Sequence, residues 1–339
     1  MSFNANMLRL AREYNGMTQA KLVSKLRIEQ AVYSKYEKGI QVPSSYTIKS
    51  VSSELGFPVS FFMQDAKETS SGLVYHRKRS SLAAKIRKQL EAKARVRILE
   101  AQRLIQNSSV DCDIPADYAN LSPVMAAKEL RKHWNVPRGP IDNMVDLLEK
   151  HGVVVIKFNF KTDKLDGFFF DHDSPIKYIV INSEFSFDRL RFSLAHELGH
   201  VVLNDEIPGK KAEDAANAFA SEFLMPEDEI ISSFDKVDID ELAELKGKWK
   251  TSMASLLVRA GKLGRITKSY STRMWAFFSA CGYRKEEPLM GIEDEKPSLI
   301  KNILLNMMDR GMSEASIAET LNITPKMFQE HYGELLSST

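Results

Sequence analysis

Cysteine is scarce: the 339 residues include two, Cys112 and Cys281, 169 positions apart. They make neither a disulfide framework nor a CxxC metal pair, which excludes a small stapled scaffold and fits a reducing compartment. Long hydrophobic runs are missing as well. Stretches such as Val153-Val154-Val155-Ile156 fall far short of the ~20 apolar residues that a spanning helix needs. The opening MSFNANMLRL lacks a basic-then-apolar export pattern, and there is no internal repeat or low-complexity tract. These absences lead to the expectation of a soluble, cytoplasmic protein with no membrane partner.

The length allows two or three domains, each with its own core. A net charge of +2 conceals an uneven distribution. Residues 1–65 carry eight Lys/Arg against five Asp/Glu, residues 75–103 carry ten against two, and residues 104–339 hold a net −9. A basic front on an acidic remainder points to a polyanionic partner at the N-terminal end.

Turn and cap residues divide the chain. Five short helices are expected between residues 6 and 63, with Thr18 as an N-cap and Lys38-Gly39 closing a helix. From about 80 to 107 a segment without Gly or Pro, rich in Ala, Lys, Arg and Leu, reads as one long basic helix. Its run Arg77-Lys78-Arg79 reads equally well as a phosphate-contacting element or as a solvated face. Helical segments near 122–134 and 140–151 precede three β-branched or aromatic runs, Gly152 to Phe158, Asp166 to Phe170 and Tyr178 to Ile181. These predict three strands of a small sheet, after which the pattern is again helical.

The chemistry concentrates in His196-Glu197-Leu198-Gly199-His200. Positions i and i+4 share one helix face, so both imidazoles can bind a single metal ion. Glu197 then stands beside the open coordination position, where a carboxylate can accept a proton from an attacking water. A third ligand is needed, and the acidic candidates are Asp205, Glu206, Glu213, Asp214 and Glu222. Glu222 lies about 180° round the helix from Glu213, so the two cannot both face the metal. Glu213 shares its face with Ala216, Ala220 and Leu224 and is the residue chosen; Asn217, one turn on, is the candidate supporting residue.

Arg191-Phe-Ser-Leu-Ala-His-Glu-Leu-Gly-His200 and Glu213-Asp-Ala-Ala-Asn-Ala-Phe-Ala-Ser-Glu-Phe-Leu-Met-Pro226 resemble the ImmA/IrrE metallopeptidase family over roughly residues 120–290. The later stretch Ser252 to Arg265 resembles the helical tail of such domains. The resemblance implies a thermolysin-like zinc endopeptidase, with His196, His200 and Glu213 as Zn2+ ligands and Glu197 as the catalytic acid/base. Some members cleave a repressor, so a regulatory protein is the implied substrate. An extended substrate would add to the sheet by main-chain pairing along Tyr178–Ile181. His172, Arg189, Arg191 and Tyr270 are candidates for the oxyanion stabiliser, each more commonly an ordinary surface or packing residue.

Residues 7–62 resemble an Xre-type helix-turn-helix, as in phage repressors. Leu8-Arg-Leu-Ala-Arg12, Met17-Thr-Gln-Ala-Lys-Leu22, Gln30 to Gly39 and Pro43 carry the likeness. Leu22, Leu26, Val32, Tyr33 and Tyr36 are spaced as a core shared by two crossed helices. Gln30, Ala31, Ser34 and Lys35 then face a major groove of double-stranded DNA, and Gln19 and Lys38 are candidates for phosphate contacts. The turn carries Arg27 where the pattern has Gly. Residues 312–328 also have helix-turn-helix spacing, but their acidity favours packing or oligomerisation over DNA binding.

The expected fold class is multidomain and mainly α. It comprises a five-helix helix-turn-helix domain (1–65), a basic helical linker (66–115), an α+β zinc peptidase domain with a small sheet (116–290) and a helical C-terminal segment (291–339). The leading function is a DNA-binding regulatory peptidase that cuts a repressor or itself. The alternative is a transcription regulator whose peptidase-like domain only senses a ligand or partner. Xre-type modules commonly act as homodimers on palindromic sites, but no dimer interface is legible in the sequence.

Overall fold

The computed structural model describes residues 2–64, 73–74, 83–106, 108, 110–170, 176–203, 209–288 and 293–337. In chain order the elements begin with α1 (Ala5–Tyr14), α2 (Gln19–Leu26), α3 (Gln30–Glu37) and α4 (Ser45–Leu55), then a 3-10 turn at Val59–Met63. A two-residue strand β1 (Leu73–Val74) precedes the long α5 (Ala84–Ile105). Next come α6 (Pro123–His133), α7 (Met144–Lys150), β2 (Val153–Phe158), β3 (Gly167–Phe170) and β4 (Lys177–Asn182). Then follow α8 (Phe187–Leu203), α9 (Lys210–Leu224), the single turn α10 (Glu227–Ile230) and α11 (Ile239–Trp249). The chain finishes with α12 (Met253–Lys262), α13 (Lys268–Ala280), α14 (Leu299–Asp309), α15 (Glu314–Thr320) and α16 (Pro325–Ser337). No helix among the described residues is long and apolar enough to cross a membrane.

These residues gather into two compact units, the first formed by Met1–Leu73, Ser80–Val110 and Ser298–Thr339. Its helix boundaries follow from capping chemistry. The Thr18 hydroxyl accepts the Lys21 N–H, and Ser44 accepts that of Thr47. Helix α2 stops where Arg27 turns left-handed, φ 55° and ψ 41°. That conformation costs an L-residue about 1–2 kcal/mol, which explains why glycine is usual at this turn. Met7, Leu8, Leu22, Tyr33 and Phe62 are almost wholly buried. The buried Arg12 guanidinium grips Glu37 through two bonds, Nε–Oε1 2.5 Å and Nη2–Oε2 3.0 Å, locking α1 to α3.

The long basic helix is present, but it is not a solvated connector. Leu90, Ala92, Ala94, Val96, Ile98, Leu99, Ala101, Leu104 and Ile105 are buried, so α5 is a core helix of the first unit. The Arg77-Lys78-Arg79 run lies outside the described residues. The C-terminal helices close on the same core through Leu304, Ile317, Leu321, Phe328 and Tyr332. A polar knot crosses that core. Glu100 accepts from Arg97 Nη1 (3.0 Å), His331 Nδ1 (2.9 Å) and Tyr332 Oη (2.8 Å), and His331 Nε2 meets Tyr14 Oη at 2.8 Å. Within residues 312–328, Ile317, Leu321 and Phe328 are buried, and the Leu321 carbonyl accepts from Arg103 of α5 at 3.1 Å.

The second unit is built on Asp111–Pro297 together with Val74. The three expected strands are present, and β1 adds a fourth, in the order β1-β3-β4-β2. Strand β2 runs parallel to β4, pairing Val153 with Lys177, whereas β3 is antiparallel, pairing Gly167 with Ile181. Both sides of β4 are thus occupied. This overturns the expectation that a substrate strand adds along Tyr178–Ile181, because those main-chain groups already serve two neighbours. One sheet face carries Val153, Val155, Ile179 and Ile181 into a core shared with Leu194, Leu198, Phe219 and Phe223 of α8 and α9.

Candidate metal centre and nucleic-acid interface

Helix α8 is buried for most of its length, and its polar trio is buried with it: His196, Glu197 and His200 are 1%, 2% and 0% exposed. Burial of three polar side chains is costly unless they serve each other or a ligand. The imidazoles stand edge to face, with Nε2 atoms 3.1 Å apart. Glu213 of α9 brings Oε2 to 3.6 Å from His196 Nε2 and Oε1 to 3.8 Å from His200 Nε2. All three ligand atoms lie within 4.8 Å of one another. Metal–ligand bonds of ~2.0–2.1 Å at tetrahedral angles place donors about 3.3 Å apart. The His2Glu set fits one small divalent cation.

Small residues bring α9 this near. A Cβ on Gly199 would meet Ala216 Cα at 3.2 Å and Phe219 at 3.1 Å, so a larger residue there would require α9 to give by a few tenths of an ångström. Glu213 sits one turn before Ala216 on the face that makes this approach. Glu222 behaves as the helical geometry requires: fully buried, it faces away, accepts the Glu227 N–H and pairs with Arg259. Asp214 is exposed, and Asp205 and Glu206 lie outside the described residues. Asn217 is half-buried one turn beyond Glu213.

Two positions invisible to pattern reading complete the site. Gly167 opens β3 beside Glu197: a Cβ there would lie 3.7 Å from Glu197 Cγ and 2.8 Å from the Val180 carbonyl oxygen. The sequence placed Gly167 in a strand run from Asp166 to Phe170, and the structure gives its reason as backbone clearance. The second is Glu295, whose carboxylate takes the Met144 and Val145 N–H groups at 2.6 and 3.0 Å and pairs with Arg191. Burial pushes the Glu295 carboxyl up from its ordinary value, although Arg191 and the two N–H groups pull the other way.

The oxyanion candidates fall into place accordingly. Arg191 is fully buried, bonded to Glu295 and to the Ile141 carbonyl, and holds α8 to the loop before α7. Tyr270 gives its hydroxyl to the Val237 carbonyl at 2.6 Å. Arg189 lies over the Phe185 ring and donates to the buried Asp166 at 2.8 Å. His172 is outside the described residues.

In the first unit, α3 presents Gln30, Ala31, Lys35 and Lys38 to solvent, with Ser34 half-exposed. Gln19 is engaged at home, its amide donating to Glu37 Oε2 at 2.7 Å. It supports the Arg12–Glu37 clamp that sets the angle of α3.

A family model described as an IrrE N-terminal-like domain matches residues 148–260. A second, described as helix-turn-helix, matches residues 8–62. Among curated proteins, the chain is 30% identical over 118 residues to the "Uncharacterized immunity region protein 2" of Bacillus phage phi105; the alignment covers 31% of this chain and 73% of that one.

Proposed function

Because this chain belongs to the ImmA/IrrE metallopeptidase family and carries an Xre-type helix-turn-helix, we propose that it is a DNA-binding regulator with a working zinc endopeptidase site. Its substrate is a regulatory protein, either a repressor or the chain itself. The relative named for a phage immunity region supports such a repressor-related setting. The observation that carries the reading is the convergence of His196, His200 and Glu213 beside the buried Glu197.

His196, His200 and Glu213 would hold Zn2+. When bound, the ion supplies Lewis acidity towards the scissile carbonyl and the attacking water. Glu197 accepts the proton of that water and delivers it to the leaving amine. Burial of α8 keeps bulk water from competing for Glu197 and fixes the carboxylate against Gly167. Gln30, Ala31, Ser34 and Lys35 read the DNA major groove from α3, while Lys38 touches phosphate.

The experiment is metal analysis of the purified protein, with mass spectrometry of candidate repressors and of the chain itself after incubation. Zinc at one equivalent and a discrete cut that disappears in Glu197→Gln are expected. Operator binding and regulation unaffected by chelation and by Glu197→Gln would instead assign the domain to sensing. Gln30→Ala and Lys35→Ala should each weaken operator binding by about 1–3 kcal/mol, read by mobility shift across a salt series.

A further inference from the structure

The acidity of the chain after residue 104 is not uniform. Between residues 245 and 285 the sequence has ten Lys/Arg and no Asp/Glu. Three of these cations serve the structure of the second unit: Lys246 pairs with Asp188 and Glu287, Arg259 with the buried Glu222, and Arg265 with Asp235. Lys268, Arg273, Arg284 and Lys285 are exposed and have no described carboxylate within ion-pair reach. All four lie on α13 or in the turn that follows it. Like charges gathered without partners repel one another, and a polyanion relieves that repulsion.

Helix α13 buries Met274 and Phe278. Its outer ridge is Ser269, Thr272, Ala276, Ser279 and Ala280, with no side chain larger than threonine. Cations and aromatics line both flanks of that ridge. On one flank stand Arg273, its guanidinium 5.3 Å from the Tyr270 ring centroid, and Phe277, which is 44% exposed. On the other stand Lys268 and Trp275, with the Arg284 guanidinium 5.0 Å over the indole. Resting a cation on a ring fixes its position without neutralising it.

A bare ridge between two charged flanks has a matching surface. A helix with its side chains is about 10–12 Å across, and the major groove of B-DNA is about 12 Å wide, with phosphates along both walls. The small ridge permits close approach to the groove floor while the flanking cations reach the walls. A lipid surface is a poorer match, because the ridge offers it hydroxyls and methyl groups rather than a broad apolar face. A single acidic peptide presents one line of charge, whereas the cations here lie on two.

We propose that α13 and the turn after it form a second contact for duplex DNA, made through phosphates and independent of base sequence. It goes beyond the role of α3 and requires neither zinc nor cleavage. Lys268, Arg273, Arg284 and Lys285 supply the phosphate contacts, so the second unit adds its own affinity for DNA to that of the helix-turn-helix.

The test uses the full chain carrying Lys35→Ala, which weakens the operator contact, with a random-sequence duplex as probe. Binding is followed by fluorescence anisotropy across a salt series. Adding Lys268→Gln, Arg273→Gln, Arg284→Gln and Lys285→Gln together should weaken binding about tenfold at low salt. The slope of log K against log salt should fall by about 3–4, from a loss of about 0.9 per phosphate contact. The charge-keeping set Lys268→Arg, Arg273→Lys, Arg284→Lys and Lys285→Arg should restore the slope, which separates lost charge from disturbed folding. Where the fourfold variant does not fold, Arg273→Glu and Lys285→Glu singly should each lower the slope by about 1. Acetylation of Lys268 and Lys285, read by mass spectrometry, should slow severalfold when the duplex is added. An unchanged slope with unprotected lysines would overturn the proposal. So would a fourfold variant that keeps its DNA binding but loses binding to phosphatidylserine vesicles or to polyglutamate.

Discussion

The two units are assembled over very different chain distances. The candidate metal site draws its polar residues His196, Glu197, His200 and Glu213 from two consecutive helices, α8 and α9. The polar knot of the first unit joins Tyr14, Arg97, Glu100 and His331, with partners as far as 317 positions apart. The first kind of site is a local design: helix periodicity places the ligands, and one pair of small-residue faces brings the helices together. The second kind exists only once distant segments have met. Its loss should therefore register as unfolding, whereas loss at the metal centre should register as chemistry.

The largest effect expected from this contrast is at Glu197. Glu197→Gln should lower cleavage by about 10²–10⁴-fold with zinc content and melting temperature unchanged. A parallel fall in zinc content would show that the residue supports the ligands rather than the reaction.

Glu100→Ala should do the opposite. It leaves Arg97, His331 and Tyr332 without their shared acceptor, at a cost of about 3–5 kcal/mol, read as a shifted urea midpoint of the first unit with zinc binding retained. The same group sets a pH dependence. Burial alone would raise the Glu100 carboxyl, but His331 and Arg97 outweigh it and hold the carboxyl below its ordinary value. A carboxylate depressed in the folded state contributes stability above its unfolded value, and that stability is lost as pH falls through the folded one. Urea midpoints measured down an acidic series should drop for the parent protein and respond less in Glu100→Gln.

Gly199→Ala tests whether the close approach of α8 and α9 is what delivers Glu213. Overpacking at this contact is expected to cost about 1–3 kcal/mol and to weaken zinc affinity in a chelator competition. Unchanged affinity would mean that Glu213 reaches the ion without the helix contact. The smallest effect is at the first turn. Arg27→Gly relieves a left-handed residue and should stabilise the helix-turn-helix by about 1 kcal/mol, visible as a small rise in its melting temperature.

The parts of this design that could be read from the residues share a physical feature. His196 and His200 are four apart, and Glu213, Ala216 and Ala220 lie on one face, so helix geometry alone places them. Thr18 and Gly39 act within a few residues of themselves, and the helix-turn-helix boundaries follow. Gly167 was invisible because its constraint comes from the Val180 carbonyl and from Glu197, not from its neighbours in the chain. Glu295 lies in a loop with no periodicity, yet it caps α7 and pairs with Arg191 of α8. The expectation of a free edge along Tyr178–Ile181 failed for a related reason: alternating hydrophobicity identifies strands but carries no information on their order, and β4 is interior.

Residue types and their spacing were enough to place two imidazoles and two carboxylates on neighbouring helices, behind a helix-turn-helix module. Three-dimensional folding alone chose that α5 and α14–α16 complete the core of the first unit, and that β4 is an interior strand of the sheet. The first outcome depends on the summed burial and hydrogen bonding of segments some two hundred residues apart, which no local window contains, and the second on strand order, which hydrophobic alternation does not encode.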